Sequence, residues 1–214
     1  MPVPNEVVFA NDRNQIITHG QVRQFDEARR LHALRKRLDY WLLDQIDPLC
    51  RRSETGDLII YSPFPLAILS CITIETLGNV FFGVPKGTEK QVFERAAIYL
   101  DQKLKSPMKK GFLEKLKNLW PGSGLKETRS ASDVLYKFFR NTMAHGYYAK
   151  SVFLTADIDP DPWRYDEGFL QLHPWNFWKL VRERGYERMF SEILDDKNES
   201  MRHCALVYID VLMA

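Results

Sequence analysis

The feature that most constrains this chain is a long apolar stretch from Phe64 to Phe82. As a helix it is just long enough to cross a bilayer, which takes about 20 residues. It also carries Glu75 and several small polar side chains, which are costly in hydrocarbon, namely Ser70, Thr73, Thr76 and Asn79. A helix that is apolar on nearly every side has to be buried on every side. The stretch therefore predicts a central core helix, beginning after Ser62-Pro63 and ending at Gly83, and no membrane partner.

The composition of the chain is that of an ordinary globular protein. It has 214 residues, 45% of them hydrophobic and 27% charged, and a net charge of +2. These values fit one domain over residues 1–214 and exclude a disordered chain or a strongly basic polymer-binding protein. The first residues, MPVPNE, lack the basic and apolar regions of a signal peptide. The three cysteines are scattered, without a C-x-x-C pair. We therefore expect a cytoplasmic protein without a zinc or disulfide framework.

Most of the remaining sequence shows the periodicity of amphipathic helices, with apolar residues three or four positions apart. Pro48 ends the first and longest of these helices, and Ser132 or Asp133 is a suitable N-cap for a later one that stops at Gly146. Together the predicted helices cover about 21–46, 63–82, 88–104, 112–120, 132–146, 175–194 and 199–213.

Two regions have the shorter, β-branched pattern of strands. Residues 1–20 contain Val7–Ala10 and Gln15–Thr18, which predict an N-terminal hairpin, and residues 151–173 contain a second pair of strands joined by the loop 157–168. Residues 121–128, which open with Pro-Gly-Ser-Gly, predict a flexible linker. The fold class is therefore mainly α: a helical bundle with a short β-hairpin insertion before its last two helices.

The residues with the clearest chemical potential lie near the end of the predicted helix 132–146. The sequence LYKFFRNTMAHGYY at 135–148 places Arg140 and His145 in an R-x4-H pattern, with the polar Asn141 beside the arginine. Histidine transfers a proton near neutral pH, and arginine presents paired N–H donors to a phosphate group. Such a pair suits general acid–base chemistry on a phosphodiester.

This motif and the order of helices around it resemble the HEPN superfamily, whose signature is R-x4–6-H with a polar residue next to the Arg. The resemblance implies a HEPN-like helical bundle and an endoribonuclease that uses neither a metal nor another cofactor. It makes His145 the general base or acid, Arg140 the group that stabilises the transition state, and Asn141 the group that orients one of them or the phosphate.

The resemblance also carries expectations about the reaction and the partners. The RNA 2′-hydroxyl attacks the adjacent phosphorus and leaves a cyclic phosphate and a 5′-hydroxyl. Such domains usually form homodimers that pair two motifs in one cleft. They often act as toxins or defence effectors, so an antitoxin or another regulatory protein is an expected partner.

Geometry limits how the two motif residues can meet. On an ideal α-helix five positions amount to about 500°, so Arg140 and His145 point about 140° apart. They converge only where the helix ends or bends near Ala144, or where a second subunit completes the site. Glu75 has two open interpretations: it holds Arg140 in the cleft, or it faces solvent at one edge of the central helix.

Residues flanking the motif are candidates for binding RNA. Tyr147 and Tyr148 either stack on a base or pack within the fold, and Lys137 and Lys150 are candidate phosphate contacts. Two basic segments, Lys103–Lys117 and Arg29–Arg37, either hold phosphates or form solvated helix faces.

Other interpretations of the motif stay open. His145-Gly146 also fits a helix C-terminus, and Arg140 could simply pair with a buried carboxylate. The chain would then be an unrelated helical bundle in which the motif is accidental. A further alternative is a non-catalytic HEPN-like module that binds RNA, a nucleotide or a partner protein. A second match, Arg13-Asn14 followed by His19, lies in the predicted N-terminal hairpin. No sequence motif of an NTPase, a dinucleotide-binding enzyme or an α/β-hydrolase is present.

Overall fold

The computed structural model describes residues 4–12, 15–52, 58–61, 63–83, 89–105, 130–140, 152–156, 158–166 and 169–214. Within these ranges the protein is mainly α-helical with short strands, which confirms the predicted fold class. The predicted helix 112–120 and the predicted linker 121–128 lie outside the described residues.

The N-terminal hairpin consists of β1 (Val8–Asp12) and β2 (Gln15–Thr18), which pair antiparallel as predicted. Thr18 and Gln21 then form a capping box at the start of α1 (His19–Gln24). The prediction of one helix from Gln21 to Ile46 was wrong at its start, because Phe25 is extended and Asp26 begins a new helix by accepting a hydrogen bond from the backbone of Arg29 at 2.8 Å.

The second helix is a continuous run of several helical segments of different type. α2 (Glu27–Leu38) passes into the π-helical segment π1 (Asp39–Leu43), then into α3 (Asp44–Ile46) and a 3₁₀ turn, Asp47–Leu49, around Pro48. A hairpin that was not predicted follows, formed by β3 (Cys50–Arg52) and β4 (Leu58–Tyr61).

Helix α4 (Pro63–Phe82) is the centre of the fold and has the predicted bounds. It begins with a proline and ends before Gly83, whose φ of +70° favours glycine. α4 contributes buried residues from every turn and packs against several of the helices that follow it in the sequence. Among the described residues it is the one helix long and apolar enough to span a membrane, and 56% of its most apolar window is buried inside the protein.

Helix α5 (Glu89–Leu100) runs into the 3₁₀ turn Gln102–Lys105. α6 (Ala131–Val134) then continues as the π-helical segment π2 (Leu135–Arg140). The predicted N-caps Ser132 and Asp133 were wrong by two or three residues, since the Ser130 hydroxyl accepts the hydrogen bond from the Asp133 backbone at 3.2 Å.

The insertion is a three-stranded sheet made of β5 (Val152–Leu154), β6 (Trp163–Asp166) and β7 (Phe169–Leu172), in the order β5-β7-β6. The two strands expected from the sequence are present, but they pair in parallel. The antiparallel hairpin is instead formed by β6 and β7, and β6 lies in the segment predicted as a loop. The alternating sequence Trp-Arg-Tyr-Asp at 163–166 is the strand signal that this prediction missed.

Two long helices close the chain as predicted. The first runs from α7 (Pro174–Leu180) through π3 (Val181–Glu187) into α8 (Arg188–Leu194), and the second is α9 (Glu199–Met213). His173 caps the first helix by accepting a hydrogen bond from the Asn176 backbone on Nδ1 at 3.2 Å. One hydrophobic core connects these helices with α4, α5 and the N-terminal hairpin.

Candidate functional site

Arg140 is the last residue of π2, and its guanidinium is held by Glu75 of α4. Arg140 Nε lies 3.0 Å from Glu75 Oε2, and Nη2 lies 2.6 Å from Oε1 and 2.8 Å from Oε2. The two side chains are 23% and 14% exposed. This bidentate contact restricts both the position and the plane of the guanidinium. Glu75 therefore does not face solvent alone, and its contact with Arg140 fits both the expected positioning role and the alternative in which the arginine simply pairs with a carboxylate.

A second carboxylate approaches the other edge of the guanidinium. Glu89, the first residue of α5, places Oε2 3.6 Å from Arg140 Nη1, and its side chain is 68% exposed. Tyr136 lies one turn before Arg140 in the same segment, with its ring centroid 5.6 Å from the guanidinium carbon. The arginine is thus fixed from the core by Glu75 and approached from the solvent side by Glu89.

These neighbours keep the arginine charged. Partial burial on its own lowers the pKa of Arg140, but the hydrogen bonds and charge of Glu75, with Tyr136 and Glu89, raise the pKa above its ordinary value. Burial raises the pKa of the Tyr136 hydroxyl, against the opposing effect of Arg140. The site therefore presents a permanent cation beside a neutral phenol at neutral pH.

An adjacent ion network fixes the helix that carries Arg140. Lys90 of α5 places Nζ 2.6 Å from Asp133 Oδ1 and 3.4 Å from Glu94 Oε1, and the Asp133 side chain is only 3% exposed. Desolvation alone lowers the pKa of Lys90, but these two carboxylates raise it overall. Desolvation also raises the pKa of Glu94. Because Asp133 sits in α6, this network joins α5 to the segment that ends at Arg140.

The described residues contain only part of the predicted site. They include Arg140, Glu75 and the backbone of Lys137, which lies within π2. The side chain of Lys137 and the whole of the remaining predicted residues lie outside them, namely Asn141, His145, Tyr147, Tyr148 and Lys150.

Two neighbours of Arg140 were not found from the sequence. Tyr136 stands four positions before Arg140, so its place on the same helix face was a usable signal. Glu89 had no such signal, because only the packing of α5 against α4 and π2 brings it to the arginine.

The second sequence match has a different environment. His19 is 4% exposed, its ring contacts Phe9 edge-on at 5.3 Å, and its Nδ1 has no hydrogen-bond partner among the described residues. Burial first, then the charges of Arg37 and Arg23, lowers the pKa of His19. This histidine is part of the packing between the N-terminal hairpin and the helices. Arg13 and Asn14 of the same match lie outside the described residues.

The basic face of α2 is largely occupied by internal partners. Arg30 pairs with Asp210, Lys36 pairs with Asp12, and Arg35 lies 2.7 Å from Glu187. Arg37 donates to the Phe9 carbonyl. These contacts join α2 to the N-terminal hairpin and to the closing helices, so this cluster acts as a structural network. Of the second basic segment, the described part includes Lys103 and Lys105, both exposed.

Among the residues that the structure describes, no group of three or more His, Cys, Asp and Glu side chains is arranged to hold a metal ion. No family model, no curated protein and no solved structure matches this chain. The chemistry that the described geometry supports is the binding and neutralisation of an anion by a pre-oriented arginine.

Proposed function

We propose that this chain is a HEPN-like endoribonuclease that cleaves RNA through its 2′-hydroxyl without a metal. The observation that carries the proposal is the clamp of Glu75 on Arg140. It fixes the guanidinium through Nε and Nη2, and Nη1 lies 3.6 Å from the exposed Glu89. An arginine held in this way is pre-oriented for a phosphate that arrives from solvent, and its motif partners Asn141 and His145 follow directly in the sequence.

The proposed reaction assigns one task to each motif residue. His145 accepts the proton of the 2′-hydroxyl as the 2′-oxygen bonds to phosphorus. The bond from phosphorus to the 5′-oxygen breaks, and that oxygen takes a proton from a protonated histidine or from water. Arg140 stabilises the additional negative charge on the phosphoryl oxygens, and Asn141 orients the phosphate. The products are a cyclic phosphate and a 5′-hydroxyl end.

The position of Arg140 in a π-helical segment also supports a functional role. π-helical turns are uncommon and occur frequently at functional sites. Here the segment follows directly on α6, which the Lys90–Asp133 pair anchors. Arg140 therefore lies at the end of a π-helical segment whose preceding helix is anchored by an ion pair.

The test is cleavage of RNA by purified protein in EDTA, with separate His145→Ala and Arg140→Lys variants. We expect the wild type to leave cyclic phosphate ends and each variant to lose at least about 100-fold in rate, the range for loss of a general base or of one transition-state contact. His32→Ala, which changes an exposed histidine of α2, and Arg182→Lys, which changes another paired arginine, are the matched controls. Cleavage that survives both motif variants would contradict the proposal.

A second candidate is a non-catalytic HEPN-like module that binds RNA, a nucleotide or a protein. The observation in its favour is that two carboxylates, Glu75 and Glu89, approach the same guanidinium, which reduces the charge available to a phosphate. A folded protein that binds RNA through Arg140 but cleaves none would favour this candidate.

The first proposal also includes a homodimer and a toxin or defence role with a neutralising partner. Light scattering of the purified protein tests the homodimer. Toxicity on expression, and its relief by co-expression of a partner, tests the biological role.

A further inference from the structure

A cleft of about 670 Å³ lies far from Arg140, between the loop before β6, the start of the α7–π3 helix and the 3₁₀ turn after α5. Its volume is within the range of small-molecule sites, about 300–1,000 Å³. Arg140 meets Glu89 at the first residue of α5, whereas the cleft begins at Asp101, just after the last residue of that helix. The twelve-residue length of α5, about 18 Å at 1.5 Å per residue, separates the two places.

The cleft contains two cations that have no partner within the described ranges. The side chains of Lys103 and Arg184 are exposed, line the cleft, and make no hydrogen bond or ion pair with any part of the chain that the structure describes. Most other arginines in the described ranges are paired, for example Arg35 with Glu187 and Arg182 with Asp47. Two unpaired cations on one concave surface are suited to a phosphate group.

The acidic residues of the cleft already have partners, and these partners fix their positions. Asp101 accepts from the Trp163 indole at 3.3 Å and from the Lys103 backbone at 2.9 Å. Asp159 accepts from the Asn176 side chain at 2.7 Å. Such fixed carboxylates still have lone pairs for an exocyclic amine or a ribose hydroxyl.

One wall of the cleft contains an aromatic side chain and two prolines. Trp175, half-buried at the start of α7, contributes to the wall together with Pro160 and Pro162 of the facing loop. An indole surface is a common platform for a nucleobase. The cleft therefore combines three kinds of group, an aromatic surface, fixed acceptors and unpaired cations.

We propose that this cleft binds a nucleotide unit, with the base against Trp175, base or ribose donors on Asp101 or Asp159, and the phosphate on Lys103 and Arg184. The lining has three acidic and three basic side chains, and this balance suits one nucleotide better than a long polyanion. The same unit can be a free mononucleotide or one residue of a single-stranded RNA. This inference does not rest on the ribonuclease proposal, since it uses none of the motif residues.

The test is a titration of the full chain by calorimetry with AMP, UMP and inorganic phosphate. A parallel titration by fluorescence anisotropy uses a 2′-O-methyl RNA octamer, which has no free 2′-hydroxyl to react. We expect a Lys103→Gln/Arg184→Gln double variant to bind at least about tenfold more weakly than the wild type. Trp175→Leu should weaken binding by a similar factor, whereas Trp175→Phe, which keeps an aromatic surface, should weaken it by about threefold or less. Thermal melting checks that each variant is folded.

The matched control is an Arg29→Gln/Lys197→Gln double variant, which also removes two exposed charges, at residues outside the cleft lining. It should bind within about twofold of the wild type. Binding of AMP or UMP that depends on the cleft identifies a mononucleotide site, and cleft-dependent binding of the octamer alone identifies an RNA contact. Equal losses in the cleft and control variants, tighter binding of inorganic phosphate than of AMP, or no binding of any probe would overturn the inference.

Discussion

Glu75 and Arg140, 65 positions apart in the sequence, form a bidentate ion pair that joins the central helix to the π-helical segment preceding the motif histidine. The pair is only 14% and 23% exposed, so it is partly desolvated. Such a pair restrains geometry more than it adds net stability, because its attraction is offset by the cost of removing both charges from water. Removing one partner, by contrast, leaves the other charge unsatisfied.

Glu75→Gln tests this restraint. The amide keeps the size of the side chain but leaves the Arg140 charge unbalanced beside the core, so we expect a loss of about 2–4 kcal/mol in the free energy of unfolding. Under the proposed function, the rate of RNA cleavage should fall at conditions where the variant is still folded. Urea denaturation and a cleavage assay measure the two effects. Glu187→Gln, which breaks the more exposed pair with Arg35, is the control and should leave cleavage unchanged.

Glu89→Gln tests the opposite effect at the same arginine. The Glu89 side chain is 68% exposed and 3.6 Å from Nη1, so the pair contributes little to stability and competes with an incoming phosphate. We expect unfolding to change by less than about 0.5 kcal/mol, and RNA binding at low salt to tighten about two- to fivefold. Anisotropy with an uncleavable RNA measures the affinity. Glu27→Gln removes a similarly exposed carboxylate, paired with Arg202, and should leave the RNA affinity nearly unchanged. An equal gain in affinity in this control would contradict the prediction.

Some of this fold could be predicted because local signals agreed with the tertiary contacts. Pro63 at the start of α4, Gly83 after its end and apolar residues on every turn specify a buried helix without reference to any other segment. The break at Phe25 was missed although Asp26 carried an N-cap signal, because the apolar spacing continues across it. Local spacing records which residues are apolar, but it does not show where the backbone stops being helical.

The remainder depends on contacts that are distant in the sequence. The parallel pairing of β5 with β7 could not be predicted, because a strand sequence does not encode the direction of its neighbour. The partners of Arg140 could not be predicted either. Its spacing to His145 is a local feature of the sequence, but its two carboxylate partners lie on other helices. The motif therefore indicated the arginine, and only the packing of α4 and α5 showed what holds it.

His19 gives a prediction for acid stability. Its folded-state pKa is lowered from the ordinary 6.5 by burial and by Arg37 and Arg23, so the unfolded chain binds the proton more readily. Stability is then unaffected above about pH 7 and falls as the pH drops below 6.5, by at most about 1.4 kcal/mol per pH unit until the folded pKa is reached. His19→Gln should flatten this part of the profile, measured by urea denaturation from pH 7.5 to 5. His32→Gln, at an exposed position, should not.

Gly78 gives a prediction that connects core packing with the site. A Cβ on Gly78 would lie 2.6 Å from Val92 Cγ1 and 2.7 Å from the Val92 carbonyl oxygen, so the substitution has to push α4 and α5 apart. A Cβ on Gly185 meets mainly the end of the Leu100 side chain, at 2.6 Å, which can move. We therefore expect Gly78→Ala to lower the free energy of unfolding by about 2–3 kcal/mol. Gly185→Ala should lower it by less than about 1 kcal/mol, because the better helix propensity of alanine offsets part of the steric cost.

The consequence for Arg140 follows from where its two carboxylate partners lie on α4 and α5. α4 carries Glu75 three residues before Gly78, and α5 carries Glu89 three residues before Val92. Separating α4 from α5 therefore separates the two carboxylates that position the guanidinium. Under the proposed function, Gly78→Ala should slow RNA cleavage at temperatures where it is fully folded, and Gly185→Ala should not. Equal cleavage rates in both variants, or a greater destabilisation by Gly185→Ala, would show that the spacing of these helices does not control the site.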